Sequence, residues 1–168
     1  ICLPDGWRLM NYGMDFGYTN DPTTVVAVYT DGEGFCLDEI CYATGLTNYD
    51  ISTVLRDSEV STSIPIIADC AEPKSIQELC NFGYNVHPCR KGADSIRSGL
   101  DYLKSHPLLV TSRSVNGIKE LRNYKYRLDK DGNALNQPVD RYNHFIDATR
   151  YAVTYNQTNP NYGNYVLG

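Results

Sequence analysis

The chain has 168 residues, a net charge of −5, 42% hydrophobic residues and 21% charged residues. This length is enough for one domain with a real core, and this composition excludes intrinsic disorder. No apolar run approaches the about 20 residues that a membrane-spanning helix needs. The opening ICLPDGWRLM has neither an initiator methionine nor the basic and apolar regions of a signal peptide. We therefore expect a piece of a longer protein with no membrane partner.

Charge is distributed unevenly along the chain. Residues 1–72 contain two basic and twelve acidic residues, whereas residues 73–168 contain thirteen basic and eight acidic residues, so the two parts carry −10 and +5. An acidic segment can bind cations and a basic segment can bind phosphates. Chance clustering on solvated faces would give the same distribution.

The six cysteines show neither a CxxC pair nor the spacing of a zinc site. A domain of this size does not need disulfides to be stable. We interpret the cysteines as reduced thiols of a cytosolic protein.

In the first half, alternating and β-branched residues predict strands at about residues 7–15, 23–30 and 34–42. The turn TDGEG joins the second and third strands, which predicts a three-strand antiparallel meander. The segment TNYDISTVLRDSE has helical spacing and a cap at Thr47 or Asn48. The apolar run IPIIADC, ending in Asp69, is typical of a buried strand.

In the second half, helices alternate with strands. A helix is predicted in EPKSIQELCNFG, from Pro73 to Gly83, followed by strand NVHPCRK, helix ADSIRSGLDYLKSH and strand PLLVTSR. VNGIKELRNYKYRLDKDGNALNQP begins as a helix and ends as a hairpin turning at KDGN, and DRYNHFIDATRYAVTYN is an amphipathic helix. This order predicts an α/β fold in which a mixed sheet, the meander plus parallel strands, is flanked by helices. We expect one domain over residues 1–157 and a flexible tail over residues 158–168.

Three aspartates lie where this topology could bring them together. Asp15 is near the end of the first strand, Asp69 ends the central strand, and Asp147 is in the first turns of the last helix. Ligand sites in such sheets form at the carboxyl ends of the strands. Three aspartates without basic neighbours cannot all stay ionised and dry, and oxygen ligands favour Mg²⁺ or Mn²⁺. Each aspartate alone is better explained as a cap or a surface residue, but their joint position predicts a site for one or two divalent cations.

Four segments together resemble a known family. They are LPDGWRLMNYGMDFGYTNDPTTVVAVY, IIADCAEPKSIQEL, HPCRKGADSIRSGL and IKELRNYKYRLDKDGNALNQPVDRYNHFIDATRYAV. In this order, over residues 4–153, the chain resembles the C-terminal nuclease domain of the terminase large subunit of tailed phages and prophages. That domain has a ribonuclease H-like, or retroviral-integrase-like, fold. The most specific matches are ADCAEPKSI and NHFIDATRYA.

The resemblance implies a function and partners. It implies a metal-dependent endonuclease domain that cuts concatemeric double-stranded DNA during genome packaging by two-metal phosphodiester hydrolysis, with two Mg²⁺ or Mn²⁺ ions as cofactors. It also implies an N-terminal ATPase domain in the same full-length chain, and the small terminase and portal as partners in the packaging motor. The place of action would be the cytoplasm of an infected or lysogenic bacterial cell.

The resemblance also implies roles for individual residues. Asp15, Asp69 and Asp147 correspond to the metal-binding acidic triad, and His144, one helical turn before Asp147, takes a secondary catalytic role. Lys91 corresponds to a basic position that contacts the scissile phosphate, although a solvated surface lysine explains it as well.

Three more acidic residues remain as alternatives or supports around this site. Asp140 competes for the third acidic position, but the HFID match favours Asp147. Asp21 and Glu72 are expected near the site, behind the metal ligands.

A basic segment predicts where DNA binds. The residues are Lys119, Arg122, Lys125, Arg127 and Lys130, interleaved with Tyr124 and Tyr126. Basic side chains neutralise phosphates without reading sequence, and tyrosines can stack on bases or pack on sugars. A solvated helix and hairpin with tyrosines in the core is nearly as good an interpretation. The acidic first half favours DNA contact here because it would repel DNA elsewhere.

Two other functions remain open from the sequence. Another ribonuclease H-like enzyme, such as a junction resolvase or a transposase core, would keep the metal site and change the substrate. A DNA-binding or motor-docking module, inactive in isolation, would use the basic surface without hydrolysis.

Overall fold

A computed structural model of the chain describes residues 2–124, 126–128, 131, 134–138 and 143–158. The strands are β1 (Arg8–Asp15), β2 (Thr23–Thr30), β3 (Phe35–Ala43), β4 (Ile66–Ala68), β5 (Val86–Pro88), β6 (Leu108–Val110), β7 (Tyr126–Leu128) and β8 (Ala134–Pro138). The helices are α1 (Asn48–Asp57), α2 (Pro73–Asn81), α3 (Ser95–Lys104), α4 (Val115–Asn123) and α5 (His144–Thr158). The predicted tail falls outside the described residues, except for Thr158 at the end of α5.

Six strands form one mixed sheet in the order β5-β4-β1-β2-β3-β6. Strands β1, β2 and β3 pair antiparallel, which confirms the predicted meander. Strand β4 pairs parallel with β1 and with β5, and β6 pairs parallel with β3. Strands β7 and β8 form a separate antiparallel pair, as the hairpin prediction required, although most of its KDGN turn lies outside the described residues. The predicted α/β fold with a mixed sheet is confirmed.

The helix ends follow the local signals in the sequence. Thr47 caps α1: its side chain accepts a hydrogen bond from the Asp50 backbone N–H, and the Asp50 carboxylate accepts one from the Thr47 N–H. Pro73 is the first residue of α2, where its missing N–H has no helical partner to lose. Gly83 follows α2 with a φ of 100°, a left-handed conformation that favours glycine.

The helices cover both faces of the sheet. Apolar residues of α1 and α2, such as Leu55 and Leu79, pack on one face. Leu103 of α3 and Phe145 of α5 pack on the other face, and Gly117 of α4 lies against the Phe145 ring. Among the described residues, no helix is both long enough and apolar enough to cross a membrane.

Helix α5 lies directly on β1, without large side chains between the two backbones. The Asn11 side chain donates a hydrogen bond to the Ala152 carbonyl at 2.9 Å. Two residues further along β1, a Cβ atom on Gly13 would clash with the Ala148 carbonyl oxygen. Only glycine therefore fits at position 13. Because the next alternate residue on β1 is Asp15, this contact also sets the distance between Asp15 and α5.

We predict that Gly13→Ala destabilises the protein strongly. The added methyl group meets backbone rather than a movable side chain, so α5 must shift away from β1, at a cost of about 3 kcal/mol in free energy of unfolding. Gly92→Ala is the matched control, because a Cβ atom there has no neighbour within 4 Å. It should change stability by less than about 1 kcal/mol. Urea denaturation of the two variants measures the difference, and equal stabilities would contradict the close packing at Gly13.

Candidate active site

The topology brings the three predicted aspartates to one cleft. Strands β1 and β4 run parallel, and the Asp69 N–H donates to the Met14 carbonyl at 3.2 Å, so Asp15 and Asp69 leave the sheet at the same edge. Asp147 reaches this edge from the first turn of α5. The cleft has a volume of about 370 Å³. Its lining includes Asp15, Asp21, Asp69, Lys91, His144, Asp147, Arg150 and Tyr151.

Each of the three aspartates has a basic partner. The pairs are Lys91 Nζ with Asp69 Oδ1 at 2.7 Å, His144 Nδ1 with Asp15 Oδ2 at 3.1 Å, and an Arg150 guanidinium nitrogen with Asp147 Oδ1 at 3.2 Å. The expectation of an aspartate cluster without basic neighbours is therefore wrong. Two of these partners come from distant parts of the chain, which local spacing cannot reveal.

Asp15 is the most central of the three carboxylates. Burial raises the pKa of Asp15 above its ordinary value, the hydrogen bond and charge of His144 oppose this rise, and the nearby Asp69 carboxylate adds to it. The hydrogen bond that His144 donates to Asp15 in turn raises the pKa of His144, against the opposite effect of burial. Removing a buried carboxylate from water disfavours its charged form, so Asp15 needs positive charge beside it.

Arg150 is a site residue that sequence reasoning missed. Its side chain is only 5% exposed, its guanidinium lies over the Tyr151 ring at 4.8 Å, and its Nε has no hydrogen-bond partner among the described residues. Burial raises the pKa of Asp147, while the charge of Arg150 opposes the rise. The i,i+3 spacing of Asp147 and Arg150 on the predicted helix was a signal that could have identified the pair.

The supporting acidic residues differ in position. Asp21 lines the cleft, and its Oδ1 lies 3.5 Å from His144 Nε2, so the imidazole stands between two carboxylates. Glu72 instead lines a neighbouring cavity that includes Phe16 and Tyr49. Asp140, the alternative third ligand, lies outside the described residues.

Glu120 of α4, also missed from the sequence, holds the start of α5 in place. Its carboxylate is buried and accepts backbone hydrogen bonds from His144 at 3.1 Å, Phe145 at 2.8 Å and Ile146 at 3.2 Å. It also accepts a hydrogen bond from the Tyr42 hydroxyl at 2.8 Å. The first N–H groups of a helix have no partner within the helix, and an anion there interacts favourably with the helix dipole. Glu120 thus fixes the end of α5 that carries His144 and Asp147.

The predicted DNA surface is described only in part. Lys119 and Arg122 are exposed on α4, whose Glu120 contacts the start of α5. Lys125 and Lys130 lie outside the described residues, and Arg127 is described only through the backbone of β7. Lys91 lies in the cleft itself, with its side chain 43% exposed.

The fold agrees with the comparisons with known proteins. Residues 15–155 match the family model for the terminase RNAseH like domain. The chain belongs to this family. It is 33% identical over 147 residues to the large terminase subunit of Bacillus phage SPP1, covering 83% of this chain and 34% of that protein. It is 31% identical over 147 residues to the PBSX phage terminase large subunit of Bacillus subtilis strain 168, covering 84% and 33%.

A solved structure gives the same assignment. The crystal structure of the nuclease domain of the SPP1 large terminase, with bound Mn, matches with a TM-score of 0.76 and 30% identity over 86% of each chain. The predicted relationship to terminase nuclease domains and the predicted ribonuclease H-like fold are confirmed. The chain spans about a third of the length of the curated relatives that it matches.

We predict that Glu120→Ala destabilises the protein by about 3 kcal/mol, because three helix N–H groups lose a charged acceptor and the Tyr42 hydroxyl loses its partner. Tyr42→Phe removes one hydrogen bond to the same carboxylate and should cost about 1 kcal/mol. Thermal denaturation of both variants tests this order. If the two variants were equally stable, Glu120 would not be the residue that anchors α5.

Proposed function

We propose that this domain is the DNA endonuclease of a terminase large subunit and cuts concatemeric double-stranded DNA by metal-dependent hydrolysis. The observation that carries the proposal is the meeting of Asp15, Asp69 and Asp147 at one sheet edge within a terminase RNase H-like domain. The related SPP1 nuclease domain, which was crystallised with bound Mn, supports the proposal.

The donor set suits two Mg²⁺ or Mn²⁺ ions. Asp15, Asp69 and Asp147 would supply carboxylate oxygens, which these hard cations prefer, and His144 would supply an imidazole nitrogen, which Mn²⁺ accepts more readily than Mg²⁺. Burial raises the pKa of Asp15 and of Asp147, so a nearby cation would stabilise the charged form of both carboxylates. Two such ions, when bound, activate a water molecule and stabilise the leaving oxygen.

The basic residues of the cleft orient the carboxylates and prepare the site for a phosphate. Arg150 is buried and holds the Asp147 carboxylate from behind. His144 stands between the Asp15 and Asp21 carboxylates. Lys91 is the most exposed of the three, so its ammonium can exchange Asp69 for a non-bridging oxygen of the DNA backbone. This exchange would place the phosphate beside the carboxylates.

Other readings are less well supported. A resolvase or transposase core would have the same fold and carboxylates, but the identity to two terminase large subunits favours the terminase. A docking module inactive in isolation would not need three carboxylates in one cleft. Comparing the cleavage of branched and linear DNA separates the terminase from a resolvase or transposase core. Binding of DNA without cleavage would indicate the docking module.

The wider assembly belongs to the same proposal. The curated relatives are about three times longer than the region they share with this chain, which leaves room for the N-terminal ATPase domain implied by the sequence resemblance. Contact with a small terminase and a portal, and action in the cytoplasm of the bacterial host, follow from that resemblance and remain proposals.

We predict that Asp15→Asn, Asp69→Asn and Asp147→Asn each lower cleavage of supercoiled plasmid by at least about 100-fold in Mn²⁺. Replacing a residue that hydrogen-bonds to a metal ligand lowers metal affinity or activity by about 10- to 100-fold. Replacing a ligand itself should lower activity further. Asp57→Asn is the control, because Asp57 is exposed on α1. His144→Ala should be milder and should change the ratio of Mn²⁺ to Mg²⁺ activity. If an aspartate variant cleaves like the wild type, and EDTA abolishes cleavage by both proteins, that aspartate is not a ligand of the hydrolytic metal ions.

We predict that DNA crosses α4 next to the cleft. The double charge reversal Lys119→Glu and Arg122→Glu should weaken DNA binding and reduce the log–log salt slope by about two units, one for each lost phosphate contact. The matched control reverses Arg56 and Lys74, which are exposed on α1 and α2 on the opposite face of the sheet. Fluorescence anisotropy across a salt series measures both slopes. An unchanged slope in the α4 variant would place the DNA elsewhere.

A further inference from the structure

Two cysteines lie beside the active-site cleft, although they are far apart in sequence. Strands β4 and β5 pair parallel with Ala68 opposite Pro88, so the residues that follow each strand meet at one edge. The Cys89 N–H donates to the Ala68 carbonyl at 2.7 Å, which brings the Cys89 thiol beside Asp69 and Cys70. Sequence spacing predicted no zinc site, because nineteen positions separate the two cysteines.

The three side chains present their ligand atoms to one point. A carboxylate oxygen of Asp69 and the sulfur atoms of Cys70 and Cys89 all lie within 4.8 Å of one another. Both cysteines are free thiols. Asp69 accepts hydrogen bonds from Lys91 and from the Ala71 N–H through Oδ1, and a carboxylate has a second oxygen to offer.

We propose that Asp69, Cys70 and Cys89 bind a thiophilic divalent cation, with Zn²⁺ as the natural candidate. Structural and catalytic zinc ions are four-coordinate, so three protein ligands leave one position for water. Sulfur ligands favour zinc, whereas magnesium prefers oxygen ligands only. Each thiol would release its proton to solvent as its sulfur binds the ion.

The surroundings suit a semi-enclosed site of this kind. Cys89 is buried among Ile67 and Tyr151, with Cys70 packed against the same cluster. The Asp69 side chain is 20% exposed and faces the cleft, which gives an ion a path from solvent. The buried Cys89 thiol and the half-buried Cys70 thiol would hold the ion from the protein side, and Asp69 would close the site from the cleft side.

Such a site would regulate the nuclease, a consequence that depends on the proposed function. A zinc ion bound to Asp69 would compete with the hydrolytic metal ions for the negative charge of this carboxylate. Zinc would therefore inhibit cleavage by weakening the contribution of Asp69 to the triad. This inhibition would require Cys70 and Cys89. Direct displacement of Mg²⁺ or Mn²⁺ from the three aspartates by zinc would not require the cysteines.

Cobalt absorption tests the binding site without reference to catalysis. Co²⁺ added to the reduced 168-residue chain should produce a thiolate-to-cobalt charge-transfer band in the near ultraviolet, which oxygen ligands of the triad cannot give, and Zn²⁺ should displace it. Cys70→Ser and Cys89→Ser should each lose most of the band and weaken zinc binding at least about tenfold. Cys80→Ser, which changes a half-buried thiol on α2, should behave as the wild type.

Three results would overturn the proposal. The first is a wild-type protein without the band, the second is a Cys70 or Cys89 variant with the full band, and the third is equal loss in the Cys80 control. Circular dichroism confirms that the variants are folded. Loss of two free thiols on exposure to peroxide in the wild type and in Cys80→Ser, but not in Cys70→Ser or Cys89→Ser, together with absence of the cobalt band, would mean that Cys70 and Cys89 form a disulfide instead.

Inhibition by zinc is measured separately. With Mn²⁺ present, the zinc concentration for half-inhibition of plasmid cleavage should rise at least tenfold in Cys89→Ser and stay unchanged in Cys80→Ser. Equal inhibition of both variants would overturn the regulatory consequence, even with the cobalt band present. Absence of cleavage in the wild type would overturn the proposed function and leave the cobalt result to decide the binding site.

Discussion

The contact between α5 and β1 is the constraint on which the site depends. Four residues of a helix advance about 6 Å and two residues of a strand advance about 6.6 Å, so every fourth residue of α5 can face every second residue of β1. The three facing pairs are Asn11 with Ala152, Gly13 with Ala148, and Asp15 with His144. The middle pair has no side chain on the strand, which lets the backbones approach. The outer pairs are polar, and the one at the strand end lines the candidate active-site cleft.

The second constraint is electrostatic. A dry cluster of three carboxylates would be unstable, and the fold supplies one basic residue to each. These partners differ in exposure: Arg150 is buried, His144 is partly buried, and Lys91 is the most open. This gradient suits different tasks, because a buried guanidinium can only hold its partner, whereas an exposed ammonium can move to a phosphate. Glu120 adds the remaining restraint by binding the N–H groups at the start of α5.

Asp69 connects two donor sets of different chemistry. Toward the cleft it stands with Asp15 and Asp147, an oxygen-rich set that favours Mg²⁺ or Mn²⁺. Toward the β5 side it stands with two thiols, a set that favours zinc. One carboxylate shared between a hard and a soft set gives a simple physical basis for one ion to suppress the activity of another.

The sequence by itself determined the local structure and much of the topology. The alternation of apolar and polar residues specified the three-strand meander. Thr47, Pro73 and Gly83 marked helix ends, because capping signals act within a few residues. The strand-end rule was enough to predict that Asp15 and Asp69 would share an edge. Tertiary structure alone decided the partners of those aspartates, the role of Glu120 and the meeting of Cys70 with Cys89. Their spacings follow neither the helix nor the strand period, and only the pairing of distant strands and the packing of α5 on β1 bring them together.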